Sequence, residues 1–410
     1  MTAHTTTTAA GTVEVKPDAA HHHAPLALSV IIPCLNEAKT IAGCVDEART
    51  LVRELGLPGE VIVADNGSTD GSRETAAAHG ARVVPVPARG YGAALRAGIV
   101  ASRGRTIVMG DADGSYDFRE ALPMVRTLLE SRSDLVMGDR FGGRIEPGAM
   151  PFKNRYLGNP VLSWIGRTLF DCPVRDFHCG MRAFTREAFD RLDVRSQGME
   201  FASDMVMKAS LRGMRITQSP ITLRRDGRDR PPHLRPWRDG WRHLRFMLSH
   251  SPRFALLLPG LVLLALGLSA ALFLSTGARR VAGVGLDIHS LIAACLAILL
   301  GHQWLLAACV MRLHGVATAI GPAKGFAGWM LNRLSAERLL LTGGVMVLLG
   351  LVPMGWLIAT WARADFGPLD TGTTLRPTML GFTLIALGGQ TVMSGVVASM
   401  LSLARGRDEA

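Results

Sequence analysis

Residues 60–71 read EVIVADNGSTDG, an apolar run that meets Asp65 and then a turn rich in glycine and hydroxyl side chains. A short apolar run bounded by such residues is typical of a buried strand, and Asp70 suits the start of a helix. In α/β proteins, ligands bind at the carboxyl ends of parallel strands. The stretch therefore predicts a strand, a turn and a helix, with Asp65 placed to accept hydrogen bonds from ribose hydroxyls or a base edge.

The same pattern recurs on both sides of this unit. An amphipathic helix is predicted at residues 38–55. An alternation of strands and helices is typical of a mostly parallel sheet with helices on both faces, so the N-terminal region is predicted to be a Rossmann-like α/β domain. The further strands are predicted at residues 28–33, 82–86, 105–110 and 134–138.

Polar side chains follow the first and fourth of the predicted strands. Asn36 and Glu37 come after the first strand, and Asp111 and Asp113 come directly after the fourth. Parallel strands end at one edge of a sheet, so these side chains are expected near Asp65. Two carboxylates at positions i and i+2 can hold one divalent cation, and oxygen ligands favour Mg²⁺ or Mn²⁺. Such a cation can neutralise a leaving diphosphate without proton transfer.

The chain is basic, with a formal net charge of +11, and its arginines concentrate between Arg140 and Arg253. This region directly precedes the first long apolar run, so its charge suits lipid head groups or phosphates better than a nucleic-acid duplex. No helix-turn-helix, zinc-finger or aromatic-studded strand pattern is present, which argues against nucleic acid. The six cysteines form no C-x-x-C pair, as expected for reduced thiols in the cytosol. Residues 1–26 are predicted to be a disordered tail.

Four long apolar stretches follow Arg253, at residues 254–275, 288–311, 339–361 and 378–403. Each is long enough to cross a hydrocarbon core of about 30 Å, so an α-helical, four-span transmembrane domain is predicted over residues 253–405. The connection at 312–338 carries four basic residues and one acidic residue, whereas the other two connections combine basic with acidic residues. The positive-inside rule therefore places the α/β domain, this connection and the C-terminus on the cytoplasmic side of the inner (plasma) membrane.

Residues 237–248 connect the two regions. Helical spacing places tryptophans and leucines on one face and arginines on the other. This pattern is typical of a helix that lies in the lipid head-group layer, and the alternative is a helix packed against the soluble domain. The α/β domain is predicted at residues 27–230 and the interfacial linker at 231–252. The apolar face comprises Trp237, Trp241, Leu244 and Leu248, and the polar face carries Arg238, Arg242 and Arg245.

Five segments, taken together and in order, resemble the family 2 glycosyltransferases of the polyprenyl-phosphate (dolichyl-phosphate) mannosyl- and glucosyltransferase branch. The resemblance covers residues 28–249 and implies a GT-A fold, a nucleotide-sugar donor of the UDP-glucose or GDP-mannose type and a polyprenyl phosphate acceptor. It also implies transfer of one hexose with inversion at the anomeric carbon. The segments that carry it are residues 30–37, 65–71, 89–95, 111–113 and 138–141.

The resemblance assigns roles to individual residues. The chain departs from the family pattern at Gly114–Asp117, where many relatives carry a glutamine that joins the metal. Asp117 is the candidate substitute. By position, the nucleotide sugar would be bound by Pro33, Asn36, Glu37 and Asp65, the metal diphosphate by Asp111 and Asp113, and the acceptor would lie near Asp176.

A site for a polyprenyl phosphate acceptor requires cationic side chains that bind the phosphate, and it does not require a general base. A phosphate monoester has a second pKa of about 6 and is already anionic at cytosolic pH, so Asp176 is predicted to orient the acceptor and not to deprotonate it. The planar guanidinium group grips phosphate oxygens and helps two anions to meet. The apolar segment 154–171 is predicted to cover a prenyl chain, to dock on the bilayer or to pack in the core. The candidate phosphate ligands are Arg140, Arg155, Arg182, Arg228 and Arg230.

Two other functions stay open at this point. A processive polysaccharide synthase is the nearest enzyme alternative, although no Q-x-x-R-W segment precedes the membrane helices. A catalytically inactive membrane scaffold is the other, although such a protein would be expected to lose its carboxylates first. The sequence also leaves open the identity of the sugar and the nucleotide, and whether the membrane helices form a homo-oligomer.

Overall fold

The computed structural model describes residues 26–228, 236–317 and 335–408. An α/β domain with a seven-stranded sheet is followed by a helical region with four long apolar helices. This arrangement confirms the predicted fold class. All six cysteines are free thiols.

The sheet has the strand order β3-β2-β1-β4-β6-β5-β7. Four of its neighbouring pairs are parallel, and the short strand β6 runs antiparallel to both β4 and β5. The sheet is therefore mostly parallel, as predicted. The strands are β1 (Leu26–Cys34), β2 (Gly59–Asp65), β3 (Arg82–Pro85), β4 (Gly104–Met109), β5 (Leu135–Ile145), β6 (Arg182–Thr185) and β7 (Ile216–Leu223).

Helices pack against the sheet. In the first of them, α1, apolar residues at helical spacing are buried, from Ile41 to Leu51. Burying one such side chain stabilises the fold by about 1.5–3 kcal/mol. Gly98 allows helix α3 to lie close to strand β1, because a Cβ atom at this position would be 2.7 Å from Ile31 Cγ2. The helices of the α/β domain are α1 (Ile41–Leu55), α2 (Ser72–Ala78), α3 (Tyr91–Ala101), α4 (Ala121–Glu130), α5 (Asn159–Phe170), α6 (Arg186–Leu192) and α7 (Phe201–Leu211).

Helix α8 (Pro236–Ser249) connects the α/β domain to the membrane helices. It packs on the α/β domain through His243, whose ring nitrogen lies 2.9 Å from Ser203 Oγ, and through the fully buried Met247. Trp241 is 61 % exposed. The packing alternative raised from the sequence therefore holds for one face of the helix, and that face is not the one that carries Trp241.

Four helices of the described residues are long and apolar enough to cross a membrane, over Arg253–Leu274, Ile288–Gly315, Ala336–Arg363 and Thr371–Met400. They confirm the predicted four-span plan. The first consists of a wider helical turn at Arg253–Leu257 and helix α9, and a small β-hairpin at 279–286 leads from it to the second. We number them α9 (Leu258–Leu274), α10 (Ile288–Ala317), α11 (Ala336–Arg363) and α12 (Thr371–Asp408).

Glycines allow α11 and α12 to lie against each other. A Cβ atom at Gly388 would lie 2.6 Å from the carbonyl oxygen of Gly343, and one at Gly350 would lie 2.8 Å from that of Gly381. No larger residue fits at such distances without separating the backbones. This pairing follows the rule that small residues mark close helix contacts in membranes.

Candidate active site

A cavity of about 840 Å³ lies at the carboxyl ends of β1, β2 and β4, where a ligand site was expected. Two arginines of helix α8, Arg238 and Arg242, line it together with the loops that follow these strands. Of the site residues predicted from the sequence, those that line the cavity are Pro33, Asn36, Glu37, Asp111, Asp113 and Arg228.

The turns after β1 and β2 are joined by hydrogen bonds. Asn36 has a left-handed backbone with φ of 57°, a conformation that asparagine tolerates. Its Oδ1 accepts from the backbone N–H of Thr69 at 2.8 Å, and its own N–H donates to Ser68 Oγ at 2.9 Å. The N–H of Glu37 donates to Ser72 Oγ at 2.8 Å. These bonds fix Asn36 and Glu37 at the rim of the cavity.

Asp65 lies beneath this rim and is 1 % exposed. Its carboxylate accepts from the backbone N–H groups of Gly67 and Ser68, each at 3.1 Å, and pairs with Arg73 at 2.8 Å. The neighbouring Asn66 and Gly67 line the cavity, whereas Asp65 does not. The structure therefore shows Asp65 shaping the turn at 66–69.

Asp111 stands at the end of β4 and is only partly exposed. The hydroxyl of Tyr91, at the start of α3, donates to its Oδ1 at 2.9 Å. Burial and the neighbouring charge of Asp113 raise the pKa of Asp111 to about 6. A positive charge near these two carboxylates would therefore be stabilising.

Arg228 supplies such a charge. Its Nε lies 2.8 Å from Glu37 Oε1 and its Nη2 lies 3.1 Å from Asp113 Oδ2. Burial alone would lower the pKa of Arg228, but the carboxylates of Asp113 and Glu37 outweigh that effect and raise it. The sequence placed Arg228 with the acceptor phosphate, whereas the structure places it on the carboxylates of the predicted donor site.

The oxygen donors of this cavity fit Mg²⁺ or Mn²⁺. In the described part of the chain, no group of three or more His, Cys, Asp or Glu side chains is arranged to hold a metal by itself. Mg²⁺ is commonly held by one or two carboxylates together with substrate phosphates and water, and Asp111 and Asp113 provide such a pair. The carboxylate of Asp117 pairs with Arg119 at 2.6 Å and also with Arg224. The suggestion that Asp117 replaces the missing glutamine stays a prediction.

Behind the cavity, Arg140 and Asp176 form a buried ion pair. Arg140 Nε lies 2.6 Å from Asp176 Oδ2 and Nη2 lies 2.8 Å from Oδ1, and the backbone N–H of Arg140 also donates to Oδ2. Asp176 is fully buried. Both of its oxygens are thus occupied in holding Arg140, which makes Asp176 a positioning residue in this arrangement and not one that contacts substrate.

Arg182 is also fully buried, which contradicts its assignment to the acceptor phosphate. Its guanidinium donates to the carbonyl oxygens of Cys179 at 3.0 Å, Ala202 at 2.5 Å and Phe177 at 3.4 Å. These bonds tie the loop before β6 to α7. Arg182 therefore stabilises the wall of the site from inside.

The remaining candidate arginines are Arg155 and Arg230. Arg155 is partly exposed, with its guanidinium carbon 5.6 Å from the ring centre of Tyr156, and Arg230 falls outside the described residues. Tyr156 belongs to an exposed apolar surface, so the core alternative for segment 154–171 is wrong for that surface, whereas it is confirmed for Leu162, Ile165 and Phe170, which pack in the core. The surface comprises Phe152, Tyr156, Leu157, Val161 and Trp164, which are 41–76 % exposed.

Sequence reasoning missed three residues of the site. Tyr91 belongs to a segment that carried the family resemblance, but no role was assigned to it. Arg238 and Arg242 share the polar face of α8, and Arg242 lies 3.8 Å from Glu200, at the start of α7. The i, i+4 spacing of Arg238 and Arg242 indicated that they share one face of the helix, but not which part of the protein that face contacts.

A mostly parallel sheet with paired carboxylates at its carboxyl edge, joined to membrane helices, defines a membrane-bound GT-A transferase. The chain belongs to glycosyltransferase family 2: residues 29–193 match glycosyl transferase family 2, and residues 309–402 match the glycosyltransferase family 2 C-terminal transmembrane region. The resemblance seen in the sequence is thereby confirmed, and the chain is a multi-pass membrane protein.

Several proteins are similar to this chain. The low-salt glycan biosynthesis hexosyltransferase of Haloferax volcanii is 37 % identical over 348 residues, which cover 83 % of this chain and 82 % of that protein. A dolichyl-phosphate hexose transferase of the same organism is 30 % identical, over 48 % of this chain and 82 % of that protein. A solved structure of glucosyl-3-phosphoglycerate synthase from Mycobacterium tuberculosis with Mn²⁺ and UDP is 25 % identical, with a TM-score of 0.43, and covers 55 % of this chain and 78 % of that one.

Proposed function

We propose that this glycosyltransferase transfers one hexose from a nucleotide sugar to a polyprenyl phosphate at the membrane surface, with inversion at the anomeric carbon. The observation that carries the proposal is the cavity itself. Its lining includes the carboxylates Asp111 and Asp113 and also Arg238 and Arg242 of the helix that leads into the membrane. The same cavity therefore offers carboxylates for a metal-bound diphosphate and cations for an anionic membrane lipid.

On the donor side, the turns after β1 and β2 hold the nucleotide. Pro33, Asn36 and Glu37 line the cavity beside Asn66 and Gly67, whose position depends on Asp65. Asp111 and Asp113 would hold Mg²⁺ or Mn²⁺ together with the diphosphate oxygens. When bound, the cation neutralises the charge that develops on the leaving nucleoside diphosphate.

On the acceptor side, cationic side chains offset the repulsion between two anions. Arg140 is held by Asp176 with its guanidinium plane fixed, and its charge acts on Asp111. Arg242, which also lines the cavity, lies 3.8 Å from Glu200. An acceptor phosphate held by such groups is already anionic, so its oxygen attacks the anomeric carbon without a general base while the bond to the diphosphate breaks.

The relatives and the surface chemistry support a lipid acceptor. The two Haloferax relatives are a hexosyltransferase and a dolichyl-phosphate hexose transferase. The exposed apolar surface around Tyr156 and Trp164 would face the bilayer. We place the α/β domain and the C-terminus on the cytoplasmic side, because the connection at 312–338 carries the excess of basic residues.

The decisive experiment gives the purified protein a panel of radiolabelled nucleotide sugars with either polyprenyl phosphate or free polyprenol, followed by lipid extraction. Label should enter the lipid phosphate alone, and excess EDTA should abolish it. Asp113→Asn should reduce transfer by at least about a hundredfold, since a lost charge-assisted metal contact acts on every step of donor use. Asp190→Asn, at an exposed aspartate of α6, is the matched control and should leave transfer unchanged.

Three outcomes would contradict the proposal. Equal labelling of free polyprenol would show that the site supplies a base and does not select a phosphate. Full transfer in excess EDTA would show that Asp111 and Asp113 act without a metal. Addition of many sugars to one acceptor would favour the processive alternative.

A further inference from the structure

A second cavity, of about 870 Å³, lies where the α/β domain meets the membrane helices. Its walls come from the ends of α5 and α7, the segment just after α8, the first turns of the first membrane helix and the later part of α10. The residues that matter for its chemistry are Asp171, Leu211, His250, Arg253, Leu257 and Arg312.

This cavity is separate from the active site. Helix α7 begins at Phe201, beside the active-site residue Met199, and ends at Leu211, which lines the second cavity. Ten residues of α-helix span about 15 Å. Helix α8 gives a similar separation, because Arg238 lines the first cavity and His250, just past the helix end, lines the second. A single phosphate group cannot occupy both places.

The second cavity combines cations with apolar walls. Arg253 begins the first membrane span, and Arg312 lies in the last turns of α10. Asp171 is the one acidic residue among the described residues that line the cavity, and it is exposed. Leu257, from the wider turn before α9, and apolar side chains of α9 and α10 complete the wall. Such a site suits a molecule with an anionic head and a hydrocarbon tail.

We propose that this cavity binds the phosphate of an anionic phospholipid from the leaflet that faces the α/β domain. Basic pockets between membrane helices at the membrane surface are suited to phospholipid head groups. Arg253 and Arg312 contact the phosphodiester, and the acyl chains lie along α9 and α10. The acceptor lipid does not fill this role, because its phosphate must reach Asp111 and Asp113 in the other cavity. The bound lipid fixes the α/β domain at a set height above the bilayer.

The test measures retention of phosphatidylglycerol on the purified full-length protein by native mass spectrometry, over a titration of lipid in detergent. The variant Arg253→Ala/Arg312→Ala removes both cations. Arg279→Ala is the matched control: Arg279 lies 5.6 Å from the ring of Phe273 near the far end of the same span, as Arg253 lies 5.5 Å from Phe254. We expect the double variant to bind phosphatidylglycerol at least about tenfold more weakly, since each charge-assisted contact contributes roughly that factor. The control should bind as the unchanged protein does.

The unchanged protein provides a test that does not depend on the folding of a variant. It should retain phosphatidylglycerol in preference to phosphatidylcholine, and the preference should fall as salt is raised. Equal retention of the two lipids would overturn the proposal, as would equal losses in the double variant and in Arg279→Ala. If polyprenyl phosphate displaces phosphatidylglycerol with comparable strength, the cavity belongs to the acceptor and the proposal also fails.

Discussion

The variant Arg228→Ala distinguishes a role of Arg228 at the donor site from a role at the acceptor phosphate. In the structure its guanidinium bridges Glu37 and Asp113, at 2.8 Å and 3.1 Å. A divalent cation that binds Asp113 must compete with this guanidinium, whereas a bound diphosphate would gain from its charge. The variant should therefore bind the metal ion more tightly and the nucleotide sugar more weakly.

The size of both effects follows from the contacts. Glu37 and Asp113 are both buried, and Arg228 is 16 % exposed, so solvent screens these pairs weakly. A hydrogen bond to a charged group is worth about 1.5–3 kcal/mol net. Because 1.4 kcal/mol corresponds to about a tenfold change in affinity, we expect the Kd of Mn²⁺ to fall about tenfold and that of the nucleotide sugar to rise about tenfold.

Mn²⁺ binding can be followed by electron paramagnetic resonance and nucleotide binding by calorimetry, both without turnover. Arg225→Ala is the matched control, since Arg225 is exposed on the same segment. Arg228→Lys should lie between the variant and the unchanged protein, because a lysine keeps the charge but not the fork that reaches two carboxylates. The KM for polyprenyl phosphate should stay within about twofold in all of them, since no effect on the acceptor is expected.

An effect of Arg228→Ala on the acceptor alone would refute this reasoning. A raised acceptor KM with unchanged Mn²⁺ and nucleotide affinities would return Arg228 to the acceptor phosphate, where the sequence first placed it.

Three further predictions concern the rest of the protein. Arg140→Lys keeps the charge but loses the two-pronged contact with its carboxylate partner, so kcat/KM for the acceptor should fall about tenfold or more with donor affinity unchanged. Gly388→Leu should separate α11 from α12 and lower the free energy of unfolding of the detergent-solubilised protein by about 1–3 kcal/mol. Gly389→Leu, next to open space, should not. Reporter fusions at Gly325 should be cytoplasmic and fusions at Gly283 external, and labelling of Gly325 from outside intact cells would exclude the proposed topology.

Five of the seven strands could be predicted from the sequence because each is an apolar run that ends in a polar turn. Strands β6 and β7 could not. β6 is four residues long and contains the arginine and threonine of Arg182–Thr185, and β7 contains Pro220. Their place in the sheet depends on pairing with β4 and β5, which lie far away in the chain. Local pattern carries no information about such pairs.

Some residues of the site could likewise be placed from the sequence, and others could not. Asp111 and Asp113 could be placed at the cavity because a strand end fixes where they lie. Arginines could not be assigned in this way, because a guanidinium can serve a ligand, a carboxylate or a carbonyl oxygen. Arg182 turned out to hold three carbonyl oxygens, and Arg228 holds two carboxylates. The residue type indicated which kinds of group an arginine can bind, but only the fold showed which group each arginine binds.

Helix α8 shows what this difference means for function. The sequence revealed an apolar and a basic face, and the fold adds a third, since His243 and Met247 are buried against the α/β domain. With that face fixed, Arg242 lines the active site, Trp241 stays exposed, and the chain reaches the second cavity just past the helix end. A rotation of α8 would therefore disturb the active site and the membrane junction together. Under the proposed function, such a helix would link the position of the α/β domain at the membrane to the position of the arginines that face the acceptor, through one rigid element.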